Sequence, residues 1–428
     1  SLYKSRWRFY PGAQLAAHSI GLVSFKENTL TGNYGLERYY NDVLSRNDDG
    51  TYANFFAEVF SNVNKKIFNQ GVKSQGDIIL SIEPVVQSSL EDAIADIQKK
   101  YSSKLTGGII INPNNGEIYA LAITPTFDLN NFSKEKDAAV FSNNLVERVY
   151  EMGSIIKPLT MAAGIDSGAV TAKTTYNDKG FLLVNGSKIS NYDGKGRGVV
   201  DMQKVLNDSL NTGVSFVVSK MGNDRFSKYM RAYGLGEETG IDLPNETHGL
   251  LNNLDSPRDV EHFTASFGQG IATTPIETVR ALAVLGNGGH LITPHIVKQI
   301  KYTLGIVKDT TYDDSVQVIK PETSAEISRM LTTVVDKALL GGQVKMEHYS
   351  VAAKTGTAQI AIPGGGGYYK DRYLHSFFGY FPSNDPKFLI FLYTVEPKGV
   401  AFASHTLTLP FHDLTKFLIN YYALPPDR

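Results

Sequence analysis

The chain lacks cysteine altogether and has a single tryptophan among its 428 residues. Without cysteine it has no disulfide framework, no thiolate metal site and no cysteine nucleophile. The absence of thiols suits an oxidising compartment, although many cytosolic proteins lack cysteine as well. Any nucleophilic chemistry must therefore come from another type of side chain.

A dominant charge and a long apolar run are missing too. The 42 basic and 43 acidic residues nearly cancel, leaving a formal net charge of -1, so no overall field favours nucleic acid as a partner. No apolar stretch approaches the roughly 18 residues that a membrane-spanning helix needs, and no signal-peptide pattern opens the chain. Because the chain begins at Ser1 and not at methionine, we expect that a membrane anchor precedes it in the natural protein.

The length and hydrophobic content allow two domains. Residues 1–79 are rich in Tyr, Asn and Phe and carry repeated turn signals, one of them at 47–50, which predicts a small mixed module. We place the boundary near residue 80, so that residues 80–428 form the second and larger domain. An amphipathic helix is predicted near its start, over residues 85–100.

The larger domain has strand patterns at both of its ends and helix patterns between them. An α+β fold follows, with an antiparallel sheet flanked by helices rather than a doubly wound parallel sheet. The predicted strands span 107–111, 117–123, 351–360, 375–381 and 388–395, the first two joined by an Asn-Gly turn. Helices are predicted after Gly153 and over 200–220, 275–287 and 322–338.

Ser154 and Lys157 form the first candidate catalytic pair. A serine hydroxyl is a weak nucleophile at neutral pH and needs a base within reach. If a helix begins after Gly153, residues three apart lie on one face, so Lys157 can be that base while the two isoleucines between them enter the core. Burial and the helix N-terminus both favour the neutral amine that a base requires. The same spacing recurs at Ser1 and Ser133, so it does not identify the site alone.

Ser209 and Asn211 form a Ser-x-Asn pair further along the chain. The Ser209 hydroxyl could relay a proton towards Lys157 or a leaving amine, and the Asn211 amide could hold a peptide backbone. The pattern recurs at Ser45 and Ser142, so it is not specific by itself.

Lys354, Thr355, Gly356 and Thr357 form a run that occurs once in the chain and follows a short apolar stretch, as in an edge strand. The lysine supplies positive charge, and the two threonine hydroxyls can bind a substrate carboxylate. The glycine would let a ligand approach the backbone.

The order of these three motifs is more informative than any one of them. Ser-x-x-Lys, Ser-x-Asn and Lys-Thr-Gly follow one another as in penicillin-binding proteins and class A β-lactamases, which have Asp in the middle motif's second place. Over nearly its whole length the chain resembles the class B, monofunctional penicillin-binding proteins. The family usually has proline where Met152 stands, a difference that should alter local rigidity and not chemistry. Other matching segments are 8–12, 16–21, 35–37, 115–118, 150–154, 240–244 and 268–270.

The resemblance implies a peptidoglycan D,D-transpeptidase that is a target of β-lactams. Ser154 would attack the carbonyl of the penultimate D-Ala of a stem peptide, the terminal D-Ala would leave, and an amine of a neighbouring stem would take the acyl group. The backbone N–H groups of Ser154 and Thr357 would form the oxyanion hole. No metal or organic cofactor is implied.

The resemblance also implies a setting for this reaction. The fold would be that of the transpeptidase domain related to serine β-lactamases, and residues 1–79 would be the pedestal between it and a membrane anchor. The protein would lie outside the cytoplasm and work with a membrane glycosyltransferase in a cell-wall synthesis complex.

Three alternatives use the same residues differently. A β-lactamase or a D,D-carboxypeptidase would use water as the acceptor, but the N-terminal module and the length argue against both. A β-lactam sensor would only be acylated, and the intact catalytic motifs argue against it. The nearest candidates for a base that activates water are Glu237 and Glu238, whose flanking glycines predict a solvated turn.

A histidine-based triad is a further alternative. No serine of the chain sits in a Gly-x-Ser-x-Gly elbow, which disfavours it. We predict that His262 and His375 are hydrogen-bonded packing residues.

Overall fold

The computed structural model describes residues 7–26, 29–45, 75–303, 305–312 and 315–428. The turn predicted at 47–50 and the Ser-x-x-Lys spacing at Ser1 lie outside these residues. Of the helices within them, none combines the length and the hydropathy that a membrane span requires.

A five-stranded antiparallel sheet forms the centre of the molecule, with the strand order β3-β4-β5-β1-β2. All eight residues of β5 are buried, because helices cover both faces of the sheet. This arrangement confirms the α+β fold and the five predicted strands. The strands are β1 (Leu105–Ile111), β2 (Ile118–Thr124), β3 (Ala352–Ala361), β4 (Tyr368–Phe381) and β5 (Phe388–Val395).

The alternation of side chains along β5 separates two hydrophobic cores. Ile390 and Leu392 pack in the core formed with helices α1 (Pro84–Tyr101) and α5 (Thr408–Tyr421). Leu389, Phe391 and Tyr393 point to the opposite face, into the larger core. Strand residues point alternately to the two faces, so one apolar run supplies both cores.

Helix α1 confirms the amphipathic stretch predicted over residues 85–100. Pro84 occupies its first turn, and the Glu83 carboxylate accepts hydrogen bonds from the backbone N–H groups of Val85 and Val86, each at 2.9 Å. These contacts satisfy N–H groups that have no partner within the helix. The buried positions of α1 recur at helical spacing and face the sheet.

The helix predicted over residues 200–220 is wrong as a single element. It is two helices, α3 (Met202–Asn207) and α4 (Asn211–Met221), separated at Ser209, whose φ of 54° is left-handed. A left-handed residue other than glycine ends a right-handed helix, and this break gives Ser209 its direction in the site described below.

The other predicted helices are present with altered ends. Residues 157–166 form α2 (Lys157–Asp166), the helix over 275–287 ends at Ala283, and the helix over 322–338 changes into a π-helical turn. The remaining α-helices are Ala17–Ile20, Gly35–Tyr39, Asn41–Leu44, Asn144–Glu147, Asn223–Ala232, Asp259–Ala265, Pro275–Ala283, Pro321–Thr333 and Ala403–Thr406. The π-helical turn is Val334–Ala338, and 3-10 turns span Phe132–Lys134, Ala138–Phe141, Gly153–Ile156, Asn252–Asp255 and Leu339–Gly342.

Short strand pairs surround the central sheet. Gly76–Leu80 pairs antiparallel with Val297–Tyr302, just before the boundary near residue 80, which stays a prediction. The other short strands are Val23–Lys26, Thr29–Gly32, Thr175–Asp178, Phe181–Val184, Ser187–Ser190, Gly198–Asp201, His290–Leu291, Val307–Asp309 and Val316–Gln317.

The described part of the N-terminal segment packs on the larger domain. Tyr10 and Leu22 share a small apolar cluster with Phe127. The backbone of Tyr10 and the side chain of Asn130 exchange two hydrogen bonds, at 2.9 and 2.8 Å. The segment is therefore attached by both apolar and polar contacts.

Candidate active site

An open cleft of about 1030 Å³ lies between the edge strand β3 and helices α2 to α4. Seven of the eight predicted site residues line it, although they come from three distant parts of the chain. They are Ser154, Lys157, Ser209, Asn211, Lys354, Thr355 and Thr357.

Ser154 borders the cleft from the 3-10 turn Gly153–Ile156, which leads directly into α2. Gly153 has a φ of 64°, and its N–H donates to the carbonyl of Gly268 at 3.2 Å. A Cβ atom at Gly153 would lie 2.9 Å from the carbonyl oxygen of Thr357. Only glycine combines this backbone angle with so close an approach, so Gly153 sets the position of the serine against β3.

The two isoleucines between Ser154 and Lys157 enter the core as predicted. Ile155 and Ile156 are 0% and 1% exposed and belong to the larger hydrophobic core. Their burial fixes the turn from behind, because rotating it would expose both side chains.

Two buried lysines meet at Ser209. The Lys157 amine donates to the Ser209 carbonyl at 2.6 Å and lies 3.0 Å from the Ser209 hydroxyl oxygen. The Lys354 amine lies 3.1 Å from the same hydroxyl oxygen and donates to the Thr355 carbonyl at 3.1 Å. One serine hydroxyl is thus shared by the amines of the first and third motifs.

Burial favours the neutral form of both amines. It holds the pKa of Lys157 well below the usual range for lysine, and the charge of Lys354 lowers it further. Burial lowers the pKa of Lys354 to about 8. Lys157 is therefore suited to accept a proton, while a pKa of about 8 leaves most of the positive charge of Lys354 in place near neutral pH.

Hydrogen bonds of Asn211 and Thr212 fix the backbone that follows the helix break at Ser209. The Asn211 amide donates to the Ser190 carbonyl at 2.8 Å, and the Thr212 hydroxyl next to it donates to the buried Asp178 carboxylate at 2.8 Å. The Asn191 side chain links Asp178 to the Thr212 N–H. These bonds tie the start of α4 to the strands beside it and so direct Ser209 into the cleft.

Gly356 is the predicted site residue that does not line the cleft. A Cβ atom there would lie 2.7 Å from the carbonyl oxygen of Met152 and 3.0 Å from the nitrogen of Ile155. The approach of a ligand to the backbone at Gly356 stays a prediction. The structure shows a different contact for this glycine. It admits the Ser154 turn to the edge strand, which a side chain would hold away.

The two threonines of β3 differ in their contacts. The backbone N–H of Ala403 donates to the Thr357 hydroxyl oxygen at 3.1 Å, so the hydroxyl proton of Thr357 remains available to a ligand. Thr355 lines the cleft, and its carbonyl oxygen accepts a hydrogen bond from the Lys354 amine. The oxyanion hole at the N–H groups of Ser154 and Thr357 stays a prediction.

Sequence reasoning missed a charged rim on the side of α3. Asp208 lies 3.0 Å from the Lys204 amine and 3.6 Å from the Arg197 guanidinium, and all three line the cleft. Asp208 directly precedes Ser209, which is the only signal of its place in the sequence. Tyr192 and Phe402 add an aromatic contact at the same cleft, with ring centroids 5.8 Å apart.

The alternative catalytic residues lie elsewhere. Each ring nitrogen of His262 lies within hydrogen-bond distance of a backbone carbonyl, to which the protonated nitrogen donates, and His375 is bonded to the Thr406 hydroxyl, which confirms both as hydrogen-bonded packing residues. Glu237 and Glu238 are exposed and do not border the cleft. Within the described ranges, no three His, Asp or Glu side chains are grouped so as to hold a metal ion.

Comparison with known families gives one match that covers most of the chain. Residues 106–412 match the model of the penicillin-binding protein transpeptidase domain. This range contains all eight predicted site residues.

Two curated relatives extend the similarity to the N-terminal segment. Stage V sporulation protein D of Bacillus subtilis is 32% identical over 94% of this chain and 62% of its own length. Peptidoglycan D,D-transpeptidase MrdA of Acinetobacter baumannii is 27% identical over 90% of this chain and 62% of its own length. The chain thus spans less than two thirds of the length of these relatives.

A solved structure has the same fold over nearly the whole chain. Penicillin-binding protein 3 of Mycobacterium tuberculosis, in complex with aztreonam, superposes with a TM-score of 0.85 and covers 99% of this chain and 92% of its own. At 23% identity this likeness establishes the architecture, including the described N-terminal segment.

Proposed function

The chain belongs to the penicillin-binding protein transpeptidase family, and from this membership we propose that it is a peptidoglycan D,D-transpeptidase acting through a Ser154 acyl-enzyme. The observation that carries the proposal is the meeting of two buried lysines at Ser209, in the cleft that Ser154 borders. Its substrates are peptidoglycan stem peptides, and β-lactams are its inhibitors.

Proton transfer begins at Lys157. Its neutral amine takes the hydroxyl proton of Ser154 as the oxygen attacks the carbonyl of the penultimate D-Ala. Ser209, in contact with both lysines, passes a proton to the departing D-Ala amine. The acyl-enzyme then transfers its acyl group to the amine of a neighbouring stem, and the same groups carry the proton in reverse.

Residues of strand β3 bind the donor substrate. The hydroxyls of Thr355 and Thr357 bind the terminal carboxylate of the donor stem, and Lys354 contributes positive charge. Asn211 holds the peptide backbone, and the N–H groups of Ser154 and Thr357 stabilise the oxyanion. Gly356 contributes by letting β3 approach the serine turn.

The acceptor is proposed to be an amine and not water. A hydrolytic enzyme needs a base that aims water at the ester, as a dedicated Glu does in class A β-lactamases. Among the described residues that line the cleft, Asp208 is the one carboxylate, and it is paired with Lys204 and Arg197. An ion-paired carboxylate is a poor base, so the acyl-enzyme can persist until an amine arrives.

The setting is proposed from the family as well. Residues 1–79 act as a pedestal for the transpeptidase domain of residues 80–428, outside the cytoplasm and behind a membrane anchor. A membrane glycosyltransferase and a cell-wall synthesis complex are the expected partners. The contacts between Tyr10, Asn130 and the Phe127 cluster support a fixed orientation of the pedestal.

Labelling with a fluorescent penicillin tests the nucleophile. Mass mapping should find one penicilloyl group, on Ser154, and Ser154→Ala should abolish it. Ser133 has the same Ser-x-x-Lys spacing in an exposed 3-10 turn, so Ser133→Ala is the matched control and should label normally. A label on Ser133 or Ser209 would overturn the assignment.

The lifetime of that ester tests the acceptor. We expect release over minutes to hours, because the described residues that line the cleft include no unpaired carboxylate to activate water. If a lactamase clears its ester about a hundred-thousand-fold faster, the difference is about 7 kcal/mol, too large for a poorly placed water to recover. Turnover of many penicillins per second would make the protein a β-lactamase instead.

A further inference from the structure

His375 lies behind the catalytic edge strand and is completely buried. In the register of the sheet it stands directly opposite Thr357, on the neighbouring strand β4. Residues paired in this way point to the same face of an antiparallel sheet. His375 is therefore the neighbour of a substrate-binding threonine and lies outside the cleft itself.

A chain of hydrogen bonds joins the two side chains. The Nδ1 atom of His375 lies 3.0 Å from the Thr406 hydroxyl oxygen, and that hydroxyl donates to the Ala403 carbonyl at 3.1 Å. The N–H of Ala403 in turn donates to the Thr357 hydroxyl oxygen at 3.1 Å. Ala403 and Thr406 are also almost completely buried, so water does not compete for these bonds.

The order of donors assigns the proton of the imidazole. A hydroxyl has one proton, and the Thr406 proton is directed to Ala403, so the Thr406 oxygen accepts from His375 and Nδ1 carries the hydrogen. Burial lowers the pKa of His375 to about 4, which keeps the ring neutral. The backbone of Ala401 acts on the pKa in the opposite direction to burial, but its effect is the smaller of the two. A buried donor fixed in this way can hold a neighbour in place but is not poised to exchange protons.

We infer that His375 is a positioning residue, which holds the Ala403–Thr406 turn through Thr406 and thereby aims the hydroxyl of Thr357 at the substrate. The inference rests on the proposed function, since it deepens the role of Thr357 in carboxylate binding. Ala403 occupies the lone pair of Thr357 on the protein side, so the hydroxyl proton points into the cleft. Residues 401–404 also line the cleft, so the same bonds fix one of its walls.

Two substitutions of His375 separate positioning from packing. In His375→Asn the amide nitrogen can occupy the place of Nδ1 and still donate to Thr406. In His375→Gln the amide reaches the place of Nε2, so the bond that Nδ1 makes to Thr406 is lost. Gln should lower the second-order rate of acylation by fluorescent penicillin about tenfold or more, through weaker non-covalent binding, whereas Asn should stay within about threefold of the natural protein.

His262→Gln is the matched control for placing glutamine at a buried histidine. His262 is 2% exposed, has a backbone carbonyl within hydrogen-bond distance of each ring nitrogen and does not border the cleft. The His262→Gln substitution should lower the melting temperature as His375→Gln does, while the acylation rate of the folded protein is unchanged.

Thr406→Val tests the other end of the bond and keeps the shape of the side chain. It should reproduce the loss seen in His375→Gln, and the double variant should lose little more, because both changes break one network. The pH profile of acylation should keep its shape in all variants, because His375 does not exchange protons. Thr406→Val also carries the test if His375→Gln does not fold.

The outcomes separate the inference from the function on which it rests. Acylation at the natural rate in folded His375→Gln or Thr406→Val would overturn the positioning role, as would an equal loss in the Asn and Gln variants. Loss of a pH limb in His375→Asn would make the histidine a base instead. If the unaltered protein fails to label at Ser154, the proposed function itself is wrong.

Discussion

Two buried groups of charged side chains in this molecule have opposite signs and opposite kinds of partner. In the cleft, Lys157 and Lys354 are 1% and 3% exposed and contact a hydroxyl and backbone carbonyls, with no carboxylate partner among the described residues. Outside the lining of the cleft, Asp242 and Glu277 are 2% and 0% exposed and accept hydrogen bonds from backbone N–H groups.

The difference lies in what each group stabilises. Asp242 accepts hydrogen bonds from the N–H groups of Ile296 and Val297, both at 2.8 Å, and these bonds hold two segments together although burial raises the pKa of the carboxyl. The lysines gain no comparable partner and are pushed towards neutral amines. We therefore expect these buried carboxylates to contribute to stability and the two buried amines to contribute to catalysis.

Replacing Lys157 with alanine should have the largest effect on activity. Removal of a general base costs about a hundred-fold to ten-thousand-fold, whereas the protein should keep or gain stability because a desolvated amine is lost. Stopped-flow acylation and thermal unfolding measure the two quantities. Lys220→Ala, an exposed lysine on α4, is the control and should change neither. Near-normal labelling of Lys157→Ala would require another base.

Replacing Lys354 with alanine should have the next largest effect. Loss of positive charge at the carboxylate site should lower the second-order acylation rate by roughly a hundred-fold, or about 3 kcal/mol. The same assay with a range of penicillin concentrations shows whether binding or acylation carries the loss. A change below about threefold would leave the lysine without a role in the reaction.

Glu277→Gln should lower the stability of the protein and leave its acylation rate unchanged. Its carboxylate accepts from the N–H groups of Gly236 and Thr274, and an amide cannot accept equally at both positions. We expect a loss of about 1–3 kcal/mol in the free energy of unfolding, with normal acylation by the folded protein. The exposed Glu238→Gln should change stability by less than about 0.5 kcal/mol. Slow acylation by folded Glu277→Gln would contradict the expectation that this carboxylate contributes to stability and not to catalysis.

The buried carboxyl of Glu277 and the buried amine of Lys354 should change the free energy of unfolding with pH in opposite directions. Burial raises the pKa of Glu277 to about 7, so its contribution to stability is present below its unfolded value of 4.5 and is lost as the pH rises through 7. Burial lowers the pKa of Lys354 to about 8, so its penalty is full below 8 and is relieved as the pH rises towards 10.5. Together the two groups make stability lowest between about pH 7 and 8.

Variants isolate each limb of that curve. Denaturant unfolding of Glu277→Gln, relative to the unaltered protein, should lose the slope between pH 4.5 and 7, and Lys354→Met should lose the slope between pH 8 and 10.5. Difference curves that are flat in both ranges would show that neither group titrates with a shifted pKa.

Much of the fold was predictable because its signals are local. The strands β1, β2 and β5 and the helix α1 have continuous apolar runs or helical spacing that nothing nearby interrupts. The start of β4 at Tyr368, rather than near residue 375, was missed because residues 370–372 are charged and exposed. This part of β4 is paired with β3 at Tyr368 and Tyr373, with a shift of register between them, and a hydrophobic pattern does not record such pairing.

The sequence by itself determined the family, the α+β class and the identity of the candidate catalytic residues, since motif order, apolar periodicity and turn residues are written in the order of the chain. Only the three-dimensional arrangement brings Lys157 and Lys354 together at Ser209, packs the serine turn against Gly356, and connects His375 to Thr357 through Thr406 and Ala403. These contacts join residues far apart in the chain. They depend on the register of the sheet and on one left-handed residue, and neither is encoded in the neighbourhood of any single motif.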